Sequence, residues 1–373
     1  SPRSSCPSSA SSRASRSMKA MLLLVVPLAL GAVSVAAADV LSLDECIEIA
    51  LKNNPDIHVA AQYVKKSENG LVLSYGGLLP NLSTAFTRGH VYYGPSSVQY
   101  DSQGRPVQNS GFDYDNYSFR ITSDMTIFDG MGNISRVSAA RHRRDSALEQ
   151  YRYSRDMMAA NVIRVYYNMV RSKMLLTVQE ESMEQARQNL ERTEALLEVG
   201  SATRADVLKA KVRHSNTRLS MISTRNQVEL AREDLSALLN MRSDRTIDVD
   251  TTLVIDARQH DASEEIQYGL QHRPDLKGLQ YDLKAARSEI TGARSGWWPV
   301  IGANFGFYWN DREMAENLNF FKEEYQWNLT GYLSLNVFDR FRTRTDVRNA
   351  KADARIAEYN LEKNRLEAIK EIK

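Results

Sequence analysis

The chain contains itself twice. Leu51, Pro55, Asp56 and Ile57 recur as Leu270, Pro274, Asp275 and Leu276, and Pro80 recurs as Pro299; 274 minus 55 and 299 minus 80 are both 219. Further on, Ile127-Phe128-Asp129 recurs as Val337-Phe338-Asp339, at the slightly shorter spacing of 210 (338 minus 128). The copies therefore differ in length only in the loop between these landmarks. A repeat at long, fixed spacing means that one arrangement of elements is built twice, which constrains the fold before any single residue does.

Each copy carries strands. In residues 117 to 127, Tyr117, Phe119, Ile121, Met125 and Ile127 alternate with Ser118, Arg120, Thr122, Asp124 and Thr126, the period of a strand with one apolar and one wet face. Trp327, Leu329, Gly331, Leu333, Leu335 and Val337 alternate in the same way in the second copy, as do Ile301, Ala303, Phe305, Phe307 and Trp309; the counterpart from Leu82 is weaker. The predicted strands are 81–93 and 113–128, then 300–310 and 325–338. Each has the length of a tilted transmembrane strand. Trp297 and Trp298 precede one strand, and Trp309 and Trp327 are expected to face each other across the loop from Asn310 to Glu324, as in an aromatic girdle at a membrane surface. The alternation also fits a half-buried sheet of a soluble domain. In the membrane reading, Arg120 and Asp124 face the lumen and tune conduction, and four strands are too few to close a barrel, so the chain must oligomerise.

The helical part has its own period. Val162, Met169, Leu176, Met183, Leu190 and Leu197 repeat every seven residues; Met158, Val165, Ser172, Gln179, Ala186 and Thr193 do the same on the other seam. After a break, Val207, Met221, Val228 and Leu235 resume it. Strict heptads predict left-handed coiled-coil packing in a long hairpin over 132–241. The break lies at Val199-Gly200-Ser201, where Gly200 can end one helix and Thr203 with Asp206 form a capping box for the next. A tight tip explains these residues; so does a partner docking there.

Charge and cysteine usage exclude several classes. The net charge is +2, without a nucleic-acid footprint, and Cys46 stands alone beyond Cys6 of the leader, so no disulfide forms within the mature chain. Residues 1 to 17 are rich in Ser and Arg without acidic residues. Met18 opens a secretory signal: Lys19, an apolar run from Met21 to Leu30, then Ala36-Ala37-Ala38 before Asp39, with cleavage expected between Ala38 and Asp39. Residues 1–17 read as an upstream leader and 18–38 as the signal peptide; a transit peptide is the alternative. After it no stretch of about twenty apolar residues spans a bilayer as a helix, so membrane entry requires strands. His58, His90, His142, His214, His260 and His272 show no metal-ligand spacing, and HExxH, GxSxG, P-loop and dinucleotide fingerprints are absent. The expectation is a non-enzyme without catalytic, cofactor or metal sites. Arg141-His142-Arg143-Arg144 reads as a solvated helix face or as a contact for anionic groups near a membrane surface.

The entry helix with Leu-x-x-x-Pro-Asp, the strand entry at Leu79-Pro80 and Trp298-Pro299, the strand exit Phe128-Asp129-Gly130, and Val199-Gly200-x-x-Thr203-x-x-Asp206-Val207-Leu208 together resemble the TolC-type outer-membrane efflux family. The resemblance runs from about Leu43 to Lys373. It implies a mixed fold of long antiparallel coiled-coil helices forming a periplasmic α-barrel, and four strands per chain in a trimeric twelve-stranded outer-membrane β-barrel, with repeats over 39–260 and 261–373. It also implies a homotrimer in outer-membrane lipid, a periplasmic adaptor and an inner-membrane ABC or proton-driven pump. The cargo would be drugs, other small molecules, metal ions or polypeptides of type I secretion. Val199, Gly200, Ser201, Thr203 and Asp206 map to the adaptor-docking tip. Because Lys373 aligns with Ile163, about 75 residues of the second copy, including its tip, are expected to lie beyond the chain. Two other classes stay open: a structural coiled-coil envelope protein, and a periplasmic binding module.

Overall fold

The computed structural model describes residues 39–95, 99–107, 111–241, 247–251, 261–314, 319–322 and 324–373. The expected leader and signal peptide, residues 1–38 with Ala38 at their end, lie outside the described residues, and Asp39 opens the first strand. In chain order the elements are β1 (Asp39–Leu41), α1 (Leu43–Asn53), α2 (Pro55–Gly76), β2 (Ser83–Tyr93), the short β3 (Gln99–Tyr100) and β4 (Pro106–Val107), β5 (Phe112–Phe128), α3 (Gly132–Glu198), α4 (Arg204–Leu238), β6 (Ile247–Val249), α5 (Ala262–His272), α6 (Pro274–Arg294), β7 (Val300–Asp311), β8 (Tyr325–Ser334) and α7 (Arg342–Ile372).

The duplication is visible element by element. α1 and α5 are both 11 residues long, and a proline opens both α2 and α6, where its missing N–H costs nothing. The exits from the strands match in detail. Met131 and Phe341, each just ahead of its helix, are left-handed at φ 73° and 66°, as are Gly130 and Arg340 before them at 66° and 57°. Beyond this turn the Asp129 carboxylate accepts from the Asn133 N–H at 2.7 Å, and Asp339 accepts from Thr343 N–H at 2.7 Å. The aspartate of the Phe-Asp pair thus caps the long helix that follows, satisfying a backbone donor with no intrahelical partner.

Four strands form one antiparallel sheet in the order β2-β5-β7-β8, with the two copies meeting at β5 and β7. β8 ends at Ser334, four residues short of the expected 338. Ser334 pairs with Val300, the first residue of β7, and Pro299 before it has no N–H to continue the ladder.

α3 runs for 67 residues, about 100 Å. It turns at Val199 to Ala202 and packs antiparallel on α4. The seam residues Met158, Val162, Met169, Ser172 and Ala186 are buried against Ala210, Met221, Thr224, Val228, Ala231 and Leu235. The mix of large and small side chains lets the backbones approach closely. The densest core lies part-way along this hairpin: Cys46, Ala50 and Ile57 fill against Met169, Leu235, Leu239 and Ile247. A parallel ledge, β1 on β6 with Leu41 opposite Val249, closes it. Tyr166 Oη donates toward the Leu41 and Asp250 carbonyls at 3.3 Å, and Lys173 Nζ lies 2.6 Å from the Asp248 carboxylate. Asn54 ties the layers together: its Oδ1 accepts from Asp56 N–H at 2.8 Å while its Nδ2 donates to the Leu238 carbonyl at 2.9 Å.

Candidate channel wall and docking tip

The register divides the sheet into two chemically different faces. On one, Arg120 lies opposite Tyr308, Thr122 opposite Gly306, and Asp124 opposite Asn304, which lies opposite Thr330 in turn. Asn304 Nδ2 donates to Asp124 Oδ1 at 2.6 Å, and the Ser83 and Thr122 hydroxyls meet at 2.7 Å. Arg120 and Asp124 share this wet face and remain exposed. On the other face Leu333 pairs with Ile301, Leu329 with Phe305, Trp327 with Phe307 and Tyr325 with Trp309. This apolar band spans nine residues, about 27 Å along the strand, at the lower end of what a tilted strand uses to cross hydrocarbon.

The tryptophans depart from expectation. Trp309 and Trp327 are not partners; the register sets Trp309 opposite Tyr325, one step further out. Trp309 is only 3% exposed, because Phe320 from the β7–β8 loop lies against it with ring centroids 5.1 Å apart. Phe320 also stacks on Phe119 at 4.3 Å, and Phe321 meets Phe307 at 4.7 Å. That loop therefore covers part of the apolar face. Trp297, Trp298 and Trp327 are exposed. Beyond the aromatic cluster, Arg88 and His90 continue the same face and reach Asp115 at 3.2 and 3.0 Å. Alternation carried past Phe86 would have placed them there.

The hairpin tip stands clear of the rest of the molecule. Gly200 is left-handed at φ 72°, and a Cβ built there would meet nothing within 4 Å. Its N–H donates to the Leu197 carbonyl and the Ser201 N–H to Leu196, closing α3. Thr203 Oγ accepts from Asp206 N–H at 3.2 Å while the Asp206 carboxylate accepts from Thr203 N–H at 3.0 Å. The Thr203 hydroxyl also donates to the Asp206 carboxylate at 2.6 Å, and this bond, with the one from the Thr203 N–H, holds the Asp206 carboxyl below the usual carboxylate range. Thr203 and Asp206 are thus engaged in starting α4, whereas the Val199 side chain and Ser201 project freely. Among the described residues, no group of three or more His, Cys, Asp or Glu could hold a metal ion. Cys46 is buried and unpaired.

The family model described as Outer membrane efflux protein matches residues 46–241 and 266–373, in two segments that follow the duplication. The chain belongs to the outer membrane efflux protein family. Like other members it resides in the outer membrane. The multidrug resistance outer membrane protein MdtQ of Escherichia coli is 23% identical over 327 residues, covering 85% of this chain and 67% of that protein. The toluene efflux pump outer membrane protein TtgC of Pseudomonas putida is 24% identical over 273 residues, 71% of this chain and 54% of that one. Among solved structures, the CmeC outer membrane channel of Campylobacter jejuni superposes with a TM-score of 0.73 at 16% identity, over 86% of this chain and 67% of that one.

Proposed function

We propose that the chain is the passive outer-membrane exit duct of a tripartite efflux system. The observation that carries this reading is the open sheet. Among the described residues β2 and β8 each have one unpaired edge, and four strands cannot close. Three copies joined edge to edge give twelve strands, a closed barrel with the Arg120 and Asp124 face inward and the Leu329 face toward lipid. The exposed apolar side chains along α4, Leu208, Val212, Leu219 and Leu230, suit helix neighbours in a periplasmic tube built the same way. The names of the relatives, multidrug and toluene efflux, support small-molecule cargo over polypeptides. The described residues supply a wet wall, an apolar exterior and a tip.

In this reading a periplasmic adaptor, loaded by an inner-membrane pump, grips the tip at Val199, Gly200 and Ser201. Thr203 and Asp206 shape it by capping. Ser201→Trp is the cleaner test than Gly200→Trp, because a side chain at φ 72° strains the backbone wherever it points. Cells carrying Ser201→Trp should assemble the protein in the outer membrane yet lose export, read as increased sensitivity to an exported drug. Unimpaired export by an assembled variant would remove the docking assignment.

A further inference from the structure

The two strand exits share a left-handed turn and are opposite in chemistry. Where the first copy has Gly130, Met131, Gly132 and Ile134, the second has Arg340, Phe341, Arg342 and Arg344, each 210 residues on. Gly130 adopts φ 66° at no steric cost, but Arg340 holds φ 57° with a full side chain. A long charged residue kept where the sister copy uses glycine points to a use for the charge. All three arginines are exposed. Arg342 lies 3.8 Å from Asp346, while Arg340 and Arg344 meet no carboxylate within 4 Å among the described residues. The nearest carboxylate along the chain, Asp339, is turned inward onto Thr343.

Their height on the molecule is fixed. Gly296 packs against Thr343, so close that an added Cβ would meet its Oγ at 2.4 Å, which sets the arginines level with exposed Trp297 and Trp298. Exposed Phe338 and Phe341 flank Arg340, ring centroids 5.6 Å apart. The apolar band begins just above, at Ile301 and Leu333. Aromatic rings at the inner rim of that band, with guanidinium groups among them, match the headgroup zone of the periplasmic leaflet. Between α6 and α7 lies a recess of about 460 Å³ lined by Ser295, Gly296, Asn336, Arg340, Arg342 and Thr343, together with Asp339 and Asp346. Guanidinium forks bind phosphate in two-point fashion, and apolar rings beside them suit acyl chains.

We propose that Arg340, Arg342 and Arg344 form a binding site for an anionic phospholipid of the periplasmic leaflet, its phosphate on the guanidinium groups and its chains toward Phe338 and Phe341. The inference rests on the sheet lying in the membrane, not on export. The test uses the full chain in detergent micelles, titrated with phosphatidylglycerol or phosphatidylethanolamine, with retained lipid counted by native mass spectrometry. Phosphatidylglycerol should be retained on the order of tenfold more strongly, an advantage that falls with salt. The triple variant Arg340→Gln, Arg342→Gln, Arg344→Gln should lose the preference, and the triple replacement by Lys should keep most of it. Glycerol 3-phosphate at equal concentration should not compete. Equal retention of both lipids by the unsubstituted protein overturns the proposal without recourse to any variant. So does a folded Gln variant that keeps the preference, and competition by glycerol 3-phosphate would overturn the assignment to lipid.

Discussion

Gly130 and Arg340 show how one turn imposes different demands on its two occupants. At Gly130 an added Cβ would lie 2.5 Å from the Trp298 Cβ and 2.9 Å from the Ser295 carbonyl, on a backbone already left-handed. Gly130→Ala should therefore destabilise by about 2 kcal/mol or more, seen as a lower thermal midpoint. Arg340→Gly goes the other way. Relief of a left-handed non-glycine residue, about 1 to 2 kcal/mol, outweighs the added freedom of the unfolded chain, and a net gain of about 0.5 kcal/mol is expected. Carboxylates give a second prediction. Asp206 and Asp339 are held low by hydrogen bonds from their Thr partners, and Glu184, paired with Arg187, is pushed down to about 2. A carboxyl whose folded value is depressed stabilises above its unfolded value and loses that contribution as pH falls through the folded one. Thermal midpoints should accordingly stay level down to about pH 4 and fall from there toward pH 2. A midpoint that rises on acidification in that range contradicts this. Cys46, fully buried, has its thiol pushed up to about 11 by burial and then by Glu45. It should resist maleimide at pH 8 until denaturant opens the core; rapid labelling of the folded protein would place it elsewhere.

Among the elements, the register fixes where a membrane test should be made. Leu333 pairs with Ile301, at the inner rim of the apolar band, whereas Leu329 pairs with Phe305 at its middle. Leu329→Arg should cost about 2 to 4 kcal/mol and Leu333→Arg nearer 0 to 1, measured by urea unfolding in vesicles. Equal costs would mean that the band is displaced. In the helical hairpin, Leu235→Ala leaves a cavity in the core beneath Cys46 and should cost about 2 to 5 kcal/mol. Much of this layer is legible in the sequence. Heptads at Val162 and Met169, alternation at Phe119 and Ile121, and the Phe-Asp pairs need only local periodicity to be recognised. β1 and β6 are illegible because three residues are too short to show a period, and their pairing joins Asp39 to Ile247 across the whole first repeat. The burial of Trp309 is also invisible locally, since Phe320 comes from a polar-looking loop. Arg340, as a left-handed residue, emerges only when the two copies are laid over each other in structure.

For the whole molecule, duplication and an unclosed sheet are two sides of one fact. Each repeat contributes two strands to the sheet and a helix after them; among the described residues that sheet has four strands, with the outer edges of β2 and β8 bare. Exposed apolar side chains on α4 leave a single chain poorly suited to solitude. The account stands on assembly in the outer membrane. The most direct measurement is the mass of the protein extracted gently in detergent from outer membranes separated on a density gradient. The account predicts three copies per particle in the outer-membrane fraction. A monomer in the soluble periplasmic fraction would contradict both the barrel and the export function built on it.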